Sequence, residues 1–239
     1  MVKNGVKNTI FEIIYYALNI IINFIIRKQI INYIGLEIVA LNQILNQIIN
    51  FITVLEFGIC NIMVFNLYGA IKEKDNEKIN NIMNIYKKIY TYVTIIITFI
   101  GICFIPFIKY FINEYSLSIN YIIVYLVLLI QSASTFLFSY KTYLLQAFQK
   151  SYLYLIIMII FKVIFSILNI LSLIKLKNYY LYLSFCIIEN ILMYYTISKY
   201  VDKKYKFLNN KKEEINHNEI KNHIKSTQFQ KFVGLYFLV

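Results

Sequence analysis

From Asn8 to Tyr200 the chain is a succession of long apolar runs separated by short lysine-bearing breaks. A helix needs about 20 mostly apolar residues to cross the hydrocarbon core of a bilayer, where every backbone polar group has to be satisfied within the protein. The runs predict an all-α, polytopic membrane bundle of six transmembrane helices, at about Asn8 to Ile34, Glu37 to Ala70, Tyr90 to Phe111, Ile119 to Leu145, Tyr152 to Ile174 and Tyr179 to Tyr200. The second run is too long for one straight crossing, so part of it has to tilt, kink or leave the core.

Composition excludes the soluble alternative. Hydrophobic residues make up 59% of the chain and charged residues 15%, against about 45–50% and about 25% in ordinary globular proteins. Outside one C-terminal segment there are too few polar residues to cover a water-facing surface. The net charge of +12 does not point to nucleic acid, because the lysines sit between apolar runs rather than in a folded patch.

Their placement sets topology instead. With the N-terminus inside, Lys3, Lys7, Lys72, Lys74, Lys78, Lys87, Lys88, Lys141, Lys150 and the lysines from Lys199 onward fall on the cytoplasmic side. Only Arg27, Lys28, Lys109, Lys175 and Lys177 fall near the outer side, and Lys162 lies within a span. Positive residues are retained inside, so both termini are expected in the cytoplasm. No small-residue cleavage site follows the first run, which reads as a transmembrane helix rather than a secretory signal.

Three segments differ from the spans. Asp75, Asn76 and Glu77 can cap a helix on which Ile79, Ile82, Met83, Tyr86, Ile89 and Tyr90 recur at helical spacing, predicting an interfacial helix over about 76–90. Polar and charged residues dominate 201–230, which reads as a cytoplasmic linker beyond a lobe formed by 1–200. After Lys231 the residues Phe232 to Val239 are apolar again, and 231–239 reads as the start of a seventh helix that stops short, since the eight apolar residues rise only about 12 Å.

Polar residues inside the spans carry the functional reading, because an ionisable group at membrane depth is costly enough to mark a function. Glu12, Tyr16, Asn19, Asn23 and Arg27 recur at helical spacing along the first span, and Asn42, Asn46, Asn50, Thr53 and Glu56 along the second, with Gln43 and Gln47 beside them. The fourth span adds Gln131, Ser132, Ser134, Thr135 and Ser139; the fifth offers Lys162, Ser166 and Asn169, the sixth Glu189 and Asn190. For a single amide or hydroxyl, helix-to-helix glue is the favoured explanation. Lys162 and Glu189 each lie about 15 Å along consecutive antiparallel helices, near midplane, and are open to either a structural ion pair or a cavity role. For Arg27, near the outer end of its helix, snorkelling to the interface is the alternative.

Cys60, Cys103 and Cys186 are far apart within apolar stretches and read as small buried hydrophobes rather than disulfides or metal ligands. His217 and His223 match no metal-site spacing and read as solvated linker. There is no phosphate-binding glycine loop, nucleophilic triad or zinc helix motif, so no enzyme, cofactor or metal is expected.

Tyr33-Ile34-Gly35-Leu36, then Leu55-Glu56-Phe57-Gly58-Ile59 and Asn66-Leu67-Tyr68, resemble segments of the polysaccharide flippases of the multidrug/oligosaccharidyl-lipid/polysaccharide exporter superfamily. Asp75 to Ile79, Met83 to Tyr90 and Tyr140 to Ala147 are similar to that family's following loops and helix entries, and the likeness runs from about Lys7 to Tyr200. It implies one lobe of a two-lobe transporter in a bacterial cytoplasmic membrane. Its substrate would be an undecaprenyl-diphosphate-linked oligosaccharide, with Arg27, Asn19, Asn23, Asn46, Asn50 and Lys162 in the cavity. From their depth in the membrane alone, and not from the resemblance, Glu12, Glu56 and Glu189 are candidates to couple transport to a cation. Ile25-Ile26-Arg27 is similar to the family's arginine-bearing first helix, which favours the cavity for Arg27. A single lobe forms half a pathway, so the remaining expectations are a second lobe on another chain or a truncated, inactive product. A cation-coupled multidrug exporter of the same superfamily is the other transport reading.

Overall fold

The computed structural model describes residues 2–53, 56–112 and 119–209, with side chains over 4–53, 59–112 and 119–208. Among the described residues the chain is all helical: α1 (Val2–Tyr33), α2 (Leu36–Thr53), α3 (Glu56–Glu73), α4 (Asn76–Ile108), α5 (Tyr121–Ala147), α6 (Tyr152–Lys175) and α7 (Tyr179–Lys204), closed by a 3₁₀ turn at Lys206–Asn209.

Five of these, α1, α4, α5, α6 and α7, are long and apolar enough to cross a membrane. The chain is a multi-pass helical membrane protein with five candidate spans among the described residues. The difference from the six expected lies in the second run, which divides into α2 and α3, 18 residues each. Most buried residues of α2, Ile38, Leu41, Leu45 and Ile49, belong to one apolar cluster, whereas Ile52 at its end joins the cluster that holds Met63, Val64, Leu67 and Ala70 of α3. The expected interfacial segment is continuous with the third span: α4 is one helix of 33 residues, about 50 Å long at 1.5 Å per residue.

The first cluster fills one end of the bundle. There Met63, Leu67 and Ala70 of α3 meet Ile79, Tyr86 and Tyr90 of α4 and Phe136, Leu144 and Leu145 of α5. The second fills the other end, with Ile22, Ile26 and Ile30 of α1, Leu41 and Leu45 of α2, Val124 and Tyr125 of α5, and Leu183 of α7. Helix α5 is central and packs on α2, α3, α4, α6 and α7, whereas α1 sits at the edge against α6 and α2.

Local chemistry sets the helix ends. Asp75, Asn120 and Asn178 each accept a backbone N–H from the first turn of the following helix, satisfying donors that the helix itself leaves unpaired. Ser151 does not cap α6. Asn8 replaces it from α1: its Oδ1 accepts the N–H of Tyr152 at 3.0 Å and its Nδ2 donates to the carbonyl of Gln149 at 3.2 Å. Gly35, Lys74, Gln149 and Lys177 take positive φ at the connections after α1, α3, α5 and α6, where a left-handed residue turns the chain out of the helix.

Helix α7 continues past Tyr200. Val201 and Tyr205 are buried and Asp202 binds Lys141, so the first residues of the segment read as linker are packed structure. The rest of that segment, its two histidines and the final apolar stretch 231–239 lie outside the described residues. The cysteines are not the buried hydrophobes the sequence implied: Cys103 is exposed, and Cys60 and Cys186 are half-buried.

Candidate functional site

Between the two apolar clusters lies a cavity of about 310 Å³. Its wall is polar although it is at the middle of the bundle. Helix α2 contributes Asn42 and Asn46, α5 Gln131, α6 Lys162, α7 Glu189 and Asn190, and α1 Tyr15. Leu128, Met158, Leu183 and Met193 supply apolar surface, and Tyr182, Cys186 and Tyr194 complete the ring.

Helical spacing explains how α2 supplies its share. Its core stripe is Ile38, Leu41, Leu45, Ile49 and Ile52. Asn42 and Asn46 each follow a core position by one residue, a rotation of about 100°, and so stand at the edge of the buried face. Asn46 Nδ2 donates to the Asn42 carbonyl at 2.7 Å and to Asn42 Oδ1 at 2.8 Å, which fixes both amides. Asn50 continues the stripe but is exposed.

On α7 Asn190 clamps the opposite wall. Its Nδ2 lies 2.8 Å from the Gln131 carbonyl, 2.8 Å from Thr135 Oγ1 and 3.2 Å from Ser134 Oγ. Those two hydroxyls themselves donate to the Gln131 carbonyl. Beside them, Lys162 Nζ and Glu189 Oε1 face each other at 3.9 Å across α6 and α7. Farther along the same pair of helices Asn169 Nδ2 donates to Cys186 Sγ at 3.8 Å.

Of the residues singled out from the sequence, Asn42, Asn46, Gln131, Lys162, Glu189 and Asn190 come together here. Glu12, Asn23 and Arg27 do not; they are exposed on α1, and Asn19 is half-buried with its amide donating to the Tyr15 carbonyl at 2.8 Å. The inward positions on α1 are Phe11, Tyr15, Leu18, Ile22 and Ile26, and the polar stripe is that set advanced by one residue, the same offset that Asn42 and Asn46 have on α2; α1 lies at the edge of the bundle, and there that side is left exposed. Arg27 forms no ion pair among the described residues. Glu56 opens α3, and its side chain lies outside the described residues. Sequence reasoning passed over Tyr15 and Cys186; the signal for Tyr15 was its place one residue before the stripe.

No protein-family model, curated protein or solved structure matches this chain. Among the described residues no group of three metal-ligating side chains forms. What the cavity offers is one cation, one carboxylate and several neutral amide and phenol groups, a set able to hold a polar ligand bearing negative charge.

Proposed function

We propose that this chain is a transporter lobe that handles an undecaprenyl-diphosphate-linked oligosaccharide in a bacterial cytoplasmic membrane, with both termini cytoplasmic. In this reading α2 and α3 together make one broken crossing, giving six traverses. The single observation that carries it is the polar cavity at mid-bundle with Lys162 in its wall. Helices that met only lipid and one another would fill that space with apolar side chains.

Lys162 is the seat for the diphosphate, and Asn42, Asn46, Gln131 and Asn190 offer donors and acceptors of the kind that hydroxyl-rich sugars need. The exposed stripe of Tyr16, Asn23 and Arg27 on α1, with Gln43, Gln47 and Asn50 on α2, flanks the cavity-lining residues of the same helices. It offers a polar path along which a head group passes while its lipid tail stays in the bilayer. No bond is made or broken. Completion of a two-sided pathway falls to a second lobe packed on that stripe. Export of cationic drugs is the less favoured transport reading, because a lysine in the wall repels a cationic ligand.

The test is binding to the purified full chain in nanodiscs, read by native mass spectrometry. A polyprenyl-diphosphate-linked disaccharide should bind, and Asn46→Leu and Lys162→Met should each weaken it at least tenfold. Binding of cationic dyes with no binding of the diphosphate ligand would overturn the reading.

A further inference from the structure

Among the described residues two lysine–carboxylate contacts are part-buried in the bundle, and they are built differently. Lys141 Nζ lies 2.7 and 2.8 Å from the two carboxylate oxygens of Asp202 and 2.7 Å from Ser198 Oγ, so its three N–H donors meet three acceptors. Lys162 Nζ stands 3.9 Å from Glu189 Oε1, beyond hydrogen-bond reach. Among the described residues neither of these two side chains forms a hydrogen bond. Their side chains are 22% and 12% exposed, and both face the cavity.

A buried pair that serves only the fold recovers its desolvation cost by closing and by saturating its remaining donors and acceptors. Lys141 does so. Lys162 and Glu189 neutralise each other's charge while leaving the ammonium donors open to the cavity. That is the arrangement of a cation held in readiness for an anion stronger than its resident carboxylate.

We propose that Lys162 and Glu189 form an exchange pair: a diphosphate anion entering the cavity takes Lys162 from Glu189, and Glu189 takes up a proton. This rests on the reading of the cavity as a diphosphate seat and adds its coupling. Glu189 faces Lys162 of α6 and shares the cavity with Tyr15 of α1 and with Tyr182, Cys186, Asn190 and Tyr194 of α7 itself, whereas α2 and α5 bring only the neutral amides Asn42, Asn46 and Gln131. Lys162 is the sole cation among them. Once a diphosphate engages it, the carboxylate has no counter-charge in a space that poorly solvates ions. One proton then passes from bulk water to a Glu189 oxygen as the ligand enters, and returns to water when the ligand leaves and Lys162 faces Glu189 again. Ligand occupancy and protonation of Glu189 thus alternate as one event.

The experiment is isothermal titration of the full chain in nanodiscs with P1,P2-dimethyl diphosphate, a diester whose two acid groups stay ionised across the assay range. Repeating it at pH 7 in buffers of different ionisation enthalpy yields the protons taken up per ligand. The expected result is uptake approaching one proton for the unmodified chain and none for Glu189→Gln, which still binds. Lys162→Gln should lose binding while Lys162→Arg keeps it, and Lys141→Gln, away from the cavity, should leave both readings unchanged. Binding without Glu189-dependent uptake overturns the exchange but leaves the diphosphate seat standing. Failure of the diester to bind while the lipid-linked disaccharide does overturns Lys162 as the seat, and failure of both ligands overturns the transport reading itself.

Discussion

Gly101 offers a sharp test of how α4 is set against the central helix. A Cβ built on it would lie 2.4 Å from Leu129 Cδ1, 2.9 Å from Cδ2 and 3.2 Å from Cγ. Leu129 is only 2% exposed, so the branched end has little room to swing away. The Gly101 carbonyl accepts the buried Tyr125 hydroxyl at 2.9 Å, a second contact between α4 and α5 at this position. Gly101→Ala gains about 1 kcal/mol of helix propensity. Against this, overpacking of a filled site costs about 1–3 kcal/mol, and a 2.4 Å approach belongs at the upper end. The net is a loss of about 1–2 kcal/mol, or about 2–8 °C in melting temperature for a chain of this size.

Truncating the obstacle reverses the sign. Leu129→Ala alone costs about 2–5 kcal/mol through the void it leaves. In that background Gly101→Ala meets nothing, part of the void is refilled, and the substitution should become stabilising by up to about 1 kcal/mol. The assay is thermal unfolding of the four detergent-solubilised chains, followed by loss of the monodisperse peak in size-exclusion chromatography. A melting point for Gly101→Ala equal to that of the unmodified chain, or penalties that merely add in the double variant, would refute the close approach of α4 to α5.

Four further outcomes follow from named contacts. Asn190→Leu keeps the volume of the side chain but removes its hydrogen bonds to α5; with bonds between membrane helices worth about 0.6 kcal/mol on average, stability should fall by about 1–2 kcal/mol in the same assay. Thr135→Val, by contrast, should change little. Asn8→Ala removes the only side chain capping α6 among the described residues, and should cost about 1 kcal/mol and raise amide exchange at Tyr152. Gln149→Gly relieves a residue at φ 53° and should stabilise the chain by about 0.5–1 kcal/mol, whereas Gly35→Ala, at φ 140°, should destabilise it. Tyr205, outside the spans, is stacked on Phe148 at 4.8 Å with no hydrogen-bond partner for its hydroxyl, and burial, helped by Tyr200 and Tyr152, pushes that phenol up to about 12. The folded chain thus holds this proton more tightly than the unfolded chain, so the associated stability is full below pH 10 and is lost as pH rises towards about 12. Tyr205→Phe should melt unchanged or slightly higher at pH 8 and lose less stability than the unmodified chain when the pH is raised to 11.

Much of this architecture was legible in the chain because lipid imposes a length rule. Runs near Asn8, Tyr90, Tyr121, Tyr152 and Tyr179 are long enough to cross and become helices with few alternatives, and Asp75 announces the start of α4 by its capping chemistry. Lys162 and Glu189 were legible as a pair because equal depths on consecutive helices follow from the rise per residue alone. What periodicity does not carry is rotation. The stripes of α1 and α2 have the same spacing and similar residues, yet Asn42 and Asn46 reach the cavity while Asn23 and Arg27 remain outside it. Both stripes are advanced by one residue from the buried face of their own helix, so only the packing of α1 against α6 and of α2 against α5 decides which polar groups meet. The break between α2 and α3 has the same origin: local sequence allows a long helix, whereas Leu45 of α2 is buried in one apolar cluster and Leu67 of α3 in the other, which sets the two helices at different levels of the bundle. Sequence by itself determined that the chain is helical and membrane-embedded, since apolar length has no other solution in lipid. Tertiary structure decided which side chains share a cavity, because that depends on the angle at which each helix is turned towards its neighbours.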